Sequence, residues 1–330
     1  MNNGIFRERH YKYSSVINHQ IENRGRFAPS PTGRMHLGNV FSALLSFLSA
    51  HSKGGKWILR IEDLDPERSR REYAEMLEDD LNWLGLDWDE GGSKGGIYGP
   101  YYQSQRAKIY QEAFDKLSHL IYPCFCKRAD LLAASAPHSS DGRPIYSGKC
   151  RDLSAVAIQE LSELRNPAYR IKVGDTTVNF TDGVYGYQSK SLYDVGGDFV
   201  LRRIDGTFAY QLAVVVDDAA MGITEVVRGN DLLDSTPSQI YLYNLLGLQV
   251  PRFYHFPLLM SAQSGARLSK RDKSLDMGEL RKRYSAEEIL GLLGYYAGII
   301  PENRKATLSE LLEKFSWEKV PPKNIVVSIS

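Results

Sequence analysis

The chain has 330 residues, enough to bury a substantial core and to hold two domains. With 41 Lys and Arg against 40 Asp and Glu its formal charge is +1, so it is no generic nucleic-acid binder and any RNA footprint must be local. It has no run of about 18 apolar residues that could span a membrane. Its polar residues 1–23 lack the apolar core of a secretory signal, so a cytoplasmic protein is expected.

Residues 1–23 read as an extension before the fold. In the stretch from Arg26 to Asn39, RFAPSPTGRMHLGN, a short apolar run meets two prolines that stop it continuing as strand. Gly33 permits a turn, and residues 40–50 have the periodicity of a helix. A helix N-terminus placed after a strand and a tight loop offers unpaired N–H groups and partial positive charge to a phosphate. His36 stands just before that helix, where its imidazole can meet the same phosphate. Gly38 leaves room for a base or ribose. Residues 56–61 read as the next strand, with Glu62, Asp63 and Asp65 at its carboxyl end, the rim where an open α/β sheet binds ligands. Asp65-Pro66 has the chemistry of an N-cap and first helical residue, which leaves Glu62 for the ligand. The helix expected over 67–84 would bury Tyr73, Met76, Leu77, Leu81 and Leu84. Gly91, Gly92, Gly95 and Gly96 match no phosphate-loop spacing and read as flexible linker. A further helix over 105–120 would bury Ile109, Ala113, Phe114 and Leu117.

Cys124, Cys126 and Cys150 are the only cysteines. Clustered thiols in a cytoplasmic chain suit a metal better than a disulfide, and zinc prefers four thiolate or imidazole donors. Tyr146, His138 and Asp141 are the nearby fourth donors, and chemistry alone favours His138. Residues 168–173 and 199–204 read as strands. Residues 207–218 are apolar almost without a break; a helix is expected, because the next strand, 223–227, needs a crossover before it. Tyr210 and Arg228 are candidates for a substrate: a hydroxyl to orient it and a guanidinium to take a carboxylate in bidentate fashion. Arg26 is the second candidate for that carboxylate, and an ion pair with Asp231 or Asp234 is the alternative for Arg228. Thr236-Pro237-Ser238-Gln239 reads as a capping box opening a helix that runs to 246. After a strand over 253–260 comes Arg267-Leu268-Ser269-Lys270-Arg271, a polar loop whose lysine can close on a polyphosphate. Ser285 with Glu288 and Thr307 with Glu310 are capping boxes, so 274–330 is expected to be a short helical tail.

Together, His36-Leu37-Gly38-Asn39 and Arg267-Leu268-Ser269-Lys270-Arg271 resemble the HIGH and KMSKS signatures of class I aminoacyl-tRNA synthetases. Asn39 replaces the second histidine, so His36 carries the phosphate role by itself; Arg267 and Arg271 replace the first lysine and the final serine. The words RFAPSPTGRMHLG, LRIEDLD, YQLAVVVDD and VVRGNDLL narrow the resemblance to the glutamyl branch over about residues 25–273. The resemblance implies an α/β fold with a Rossmann-like parallel sheet in two halves, 24–118 and 196–273. A zinc-bearing insertion over 119–195 separates them, and the helical tail follows. It implies that Arg26, Phe27, Ala28, Pro29, Ser30, Glu62, Tyr210 and Arg228 surround glutamate, with Glu62 at the amino group. It further implies that His36, Gly38, Asn39, Ser269 and Lys270 meet ATP, with His36 and Lys270 catalytic. One structural Zn²⁺ on Cys124, Cys126, Tyr146 and Cys150 is implied by the Cys-x-Cys…Tyr-x3-Cys site of small glutamyl relatives, and Mg²⁺ accompanies ATP.

Full glutamyl-tRNA synthetases continue past the KMSKS-like loop with a large anticodon-reading domain, whereas this sequence runs only to Ser330. The resemblance is therefore to the shorter glutamyl-queuosine tRNA(Asp) synthetases. That family activates glutamate and esterifies it to the cyclopentenediol of queuosine in the anticodon stem-loop of tRNA(Asp). The partners so implied are L-glutamate, ATP and that stem-loop, and a monomer is expected. The competing readings are a short glutamyl-tRNA synthetase charging the 3′ end of tRNA(Glu) and a non-catalytic zinc-bearing RNA-binding paralogue. Because the α-carboxylate of glutamate is already ionised at neutral pH, its attack on the α-phosphorus needs positioning and charge neutralisation rather than a general base.

Overall fold

The computed structural model describes residues 22–127, 145–268 and 275–327. Strand β1 (Arg24–Phe27) is buried along its length. Helix α1 (Leu37–His51) begins three residues earlier than its apolar pattern suggested, because His36 is itself the N-cap. Strand β2 (Lys56–Leu59) returns parallel to β1, with α1 as the crossover, and β3 (Glu90–Gly91) extends the sheet in the order β1-β2-β3. Gly91 is thus part of the sheet, while Gly92 opens a single 3-10 turn that ends at Gly95, before Gly96. Gly91 has φ 95°, and a Cβ there would lie 2.0 Å from the Leu59 carbonyl oxygen, so close backbone approach demands glycine.

Helix α2 (Arg71–Trp83) starts later than expected. Asp65 caps a preceding turn instead, its Oδ1 accepting the Glu67 and Arg68 amides at 3.2 and 3.3 Å. Leu77, Leu81 and Leu84 face the core, but Tyr73 is half-buried and Met76 is 42% exposed. Helix α3 (Ala107–Lys116) buries Tyr110 and Ala113, with Leu117 just beyond; Ile109 and Phe114 are half-buried.

A small antiparallel sheet follows, built from β4 (Ile121–Cys124), β5 (Ala168–Ile171) after helix α4 (Ala155–Leu164), and β8 (Val200–Arg202). The hairpin between β5 and β8, β6 (Thr177–Asp182) with β7 (Gly186–Ser191), leaves this module and joins the second parallel sheet. Helix α5 (Tyr210–Ala220) accounts for the unbroken apolar run, being buried from Leu212 to Asp218. Strand β9 (Glu225–Gly229), helix α6 (Thr236–Leu245) and strand β10 (Arg252–Phe256) complete that sheet in the order β7-β6-β10-β9. Beside it, the Thr224 N–H donates to the Arg24 carbonyl at 3.0 Å, which sets β1 against β9. Chain order reverses at this junction, where open α/β sheets place their ligand crevice.

Beyond β11 (Leu259–Ser261), helices α7 (Met277–Arg283), α8 (Ala286–Tyr296) and α9 (Leu308–Lys314) pack Leu280, Ile289, Leu293 and Leu311 into the α1 core. Ser285 and Glu288 form the expected reciprocal cap; Thr307 caps α9, but the Glu310 carboxylate turns to Arg304. A strand not expected in the tail, β12 (Ile325–Val327), pairs parallel with β11. No helix among the described residues is long and apolar enough to cross a membrane.

Candidate active site

A cleft of about 490 Å³ opens at the β1–β9 junction. Arg26, Phe27, Ala28, Pro29 and Ser30 line it from the end of β1, and His36, Gly38 and Asn39 from the start of α1. Glu62, Tyr210 and Arg228 complete the wall. Ser269 and Lys270 lie outside the described residues, as do His138 and Asp141; Arg267 and Leu268, just before the lysine, line the cleft.

Beneath the cleft is a buried charge network. Asp218 accepts Arg60 Nη1 at 2.6 Å and Arg26 Nε at 3.3 Å, and Arg60 Nη2 reaches Glu62 at 3.0 Å. Asp217 accepts Arg106, Gln103 and the Tyr110 hydroxyl at 2.6, 2.7 and 2.9 Å. Burial alone would raise the pKa of Asp218, but Arg60 and Arg26 outweigh it and hold it below the usual carboxylate range. For Glu62 burial wins over Arg60, and its pKa rises. Burial likewise raises Tyr210, so its hydroxyl keeps its proton at neutral pH. Arg60, Asp217 and Asp218 were not singled out from sequence. The available signal was charge set inside apolar runs, which requires paired burial.

Arg228 is held differently. Its Nε donates to His255 Nε2 at 3.0 Å, Nη1 to Gln239 Oε1 at 2.7 Å, and Nη2 to Thr236 Oγ1 at 2.8 Å and the Leu232 carbonyl at 3.4 Å. The alternative ion pairs do not form: Asp231 is taken by Arg267 and Asp234 by Lys190. Among the described residues this buried guanidinium has no carboxylate in ion-pair contact, and burial draws its pKa below the ordinary value. The expected capping box is absent for the same reason. Ser235 is the N-cap of α6 without a side-chain bond, while Thr236 and Gln239 serve Arg228.

At the helix entrance, His36 Nδ1 accepts the Gly38 N–H at 3.1 Å and Asn39 Oδ1 accepts the His36 N–H at 3.2 Å. An accepting Nδ1 places the proton of a neutral imidazole on Nε2. A Cβ at Gly38 would come within 2.9 Å of His36 Cε1, so glycine makes room for the ring as well as for a ligand. Asn39, where the signature has a histidine, uses its side chain in the cap.

Far from the cleft in sequence, the Cys124, Cys126 and Cys150 sulfurs lie within 4.8 Å of one another. Tyr146 Oη is 3.5 Å from Cys124 Sγ and accepts the Cys150 N–H at 2.9 Å. Burial opposes ionisation of Cys124, yet bonds from Tyr146, the Cys126 amide and Arg170 bring its pKa below normal. Burial and the neighbouring Cys124 push Cys126 up. Three clustered sulfurs beside a phenol oxygen fit a tetrahedral metal.

Comparison with known proteins shows the family of the chain. A family model described as "tRNA synthetases class I (E and Q), catalytic domain" matches residues 22–306. The Glutamyl-Q tRNA(Asp) synthetase of Nitratidesulfovibrio vulgaris is 51% identical over 84% of this chain and 87% of its own. That of Symbiobacterium thermophilum is 47% identical over 90% and 93%. A glutamate–tRNA ligase of a Sulfurihydrogenibium species is 42% identical over 90% of this chain but only 63% of its own length. The crystal structure of the Elizabethkingia meningosepticum glutamate tRNA ligase in complex with its amino acid superposes with a TM-score of 0.79 at 29% identity, over 93% of this chain and 67% of that one. Sequence, fold and cleft converge, and the chain belongs to the class I tRNA synthetases of the glutamate and glutamine group, a family of ligases.

Proposed function

We propose that this chain activates L-glutamate with ATP and transfers it to the queuosine base in the anticodon stem-loop of tRNA(Asp). One observation carries the amino-acid assignment. A buried guanidinium whose hydrogen-bond partners among the described residues are all neutral, Arg228, keeps its charge for a ligand carboxylate. Glutamine in that place would leave the cation unpaired, which separates acid from amide.

In this reading Arg26, backed by Asp218, flanks the same carboxylate, and Glu62, steadied by Arg60, takes the substrate ammonium. Tyr210 orients the substrate with its hydroxyl, and Phe27, Ala28, Pro29 and Ser30 form the wall. His36 meets a phosphate oxygen beside the α1 N-terminus, with Gly38 and Asn39 at the nucleotide. Ser269 and Lys270 act at the departing pyrophosphate, where the Mg²⁺ accompanying ATP would supply further neutralising charge. An α-carboxylate oxygen bonds to the α-phosphorus as pyrophosphate leaves. A diol hydroxyl of the RNA base then attacks the mixed anhydride, and AMP leaves. Cys124, Cys126, Cys150 and Tyr146 would hold one structural Zn²⁺, which ties β4 to the 146–150 loop. A cytoplasmic monomer completes the proposal.

Support for the RNA base as acceptor comes from the relatives aligned over most of both chains, which are named Glutamyl-Q tRNA(Asp) synthetases. The 42% identity to a glutamate–tRNA ligase favours, as second reading, charging of the 3′ end of tRNA(Glu). Glutamate-dependent ATP–pyrophosphate exchange, absent with glutamine, tests activation. Mapping where labelled glutamate settles on tRNA tests the acceptor.

A further inference from the structure

The Arg228 guanidinium rests on a relay that crosses the second sheet. Asp182, the last residue of β6, accepts His255 Nδ1 at 2.6 Å, and His255 in β10 meets Arg228 Nε through Nε2 at 3.0 Å. Asp182, His255 and Arg228 are 2%, 0% and 5% exposed, so water replaces none of these bonds. Arginine Nε always carries hydrogen, so His255 Nε2 must accept, and the ring proton sits on Nδ1 facing Asp182. Asp182 cannot turn away, because its Oδ1 is taken by the Val184 and Tyr185 amides at 3.0 and 2.9 Å. Burial lowers the His255 pKa against the pull of Asp182, in keeping with a neutral ring.

We propose that Asp182 and His255 are positioning residues for substrate recognition, steering the Arg228 fork through a neutral imidazole so that its charge stays available to the glutamate side chain. The inference rests on the glutamate reading above. A carboxylate at position 255 would hold the fork as well, but it would neutralise the cation and compete with the substrate. The imidazole separates the two tasks: Asp182 fixes the tautomer, and only a lone pair touches Arg228.

The test uses the full chain, with glutamate and ATP binding measured separately by calorimetry. Asp182→Asn keeps the shape and the Oδ1 contacts but offers N–H to His255, which turns the ring proton towards Arg228. The expected result is glutamate affinity at least tenfold weaker, with ATP affinity within about twofold of wild type. His255→Gln, which keeps a neutral acceptor, should bind glutamate within about threefold of wild type and serves if Asp182→Asn fails to fold. Parallel loss of glutamate and ATP affinity, an unchanged glutamate affinity in Asp182→Asn, or a loss in His255→Gln as large as that in Asp182→Asn would overturn the relay. Wild-type chain that binds no glutamate would instead overturn the functional reading, and the relay with it.

Discussion

Arg60 Nη1 and Asp218 Oδ1 lie 2.6 Å apart beneath the cleft, although 158 residues separate them in sequence. The pair joins the first half of the parallel layer to the second, and Asp218 also steadies Arg26. Removing the carboxylate leaves two buried guanidiniums short of a counter-charge. Asp218→Asn should therefore lower unfolding free energy by about 3–5 kcal/mol, measured by urea denaturation. A loss under about 1 kcal/mol would mean that water or other groups compensate.

Arg228→Gln keeps a hydrogen-bonding side chain but removes the cation. Glutamate KM in pyrophosphate exchange should rise by the worth of a buried charged contact, about 2–5 kcal/mol, or roughly 30-fold to several thousand-fold. ATP KM should stay near wild type. An equal rise for both substrates would place Arg228 in the scaffold and not at the substrate.

His36 caps α1 and, in the proposed reading, also meets phosphate. His36→Ala should cost about 1 kcal/mol of stability through the lost cap and roughly 10²–10³ in kcat through the lost donor. His36→Ser restores an N-cap oxygen without the imidazole, so it should regain stability while kcat stays low. Melting curves and exchange rates read the two effects apart; recovery of kcat in the serine variant would remove the phosphate role.

Metal analysis of purified protein should give about one zinc per chain, lost in Cys150→Ser together with a lowered melting temperature. Tyr146→Phe should weaken retention under chelator without abolishing it, since three thiolates remain. Full metal content in Cys150→Ser would exclude the cysteine cluster as the site.

Much of this site was legible as short words in the sequence, because the residues at the ends of β1, β2 and β9 sit within a few positions of the glycine, proline or histidine that shapes each turn. Helix α5 was also legible, although β8 and β9 on either side of it lie in different sheets, so it is no crossover within one sheet. What could not be read were side chains whose meaning comes from partners far along the chain. Thr236 and Gln239 have capping-box spacing, yet a buried guanidinium outcompetes the helix end for both oxygens. His255 and Asp182 sit in strand-like runs with nothing local to mark them, and only β6–β10 pairing brings them together. Gly91 looked loose because sequence cannot show the Leu59 carbonyl pressed against it.

The most direct measurement supplies the protein with ATP, Mg²⁺ and labelled glutamate, and with tRNA(Asp) either carrying or lacking queuosine, then maps the label by nuclease digestion. The account predicts label confined to the anticodon fragment, present only with queuosine and lost after periodate oxidation of its diol. Label on the 3′-terminal adenosine of tRNA(Glu), or on queuosine-free tRNA(Asp), would contradict it.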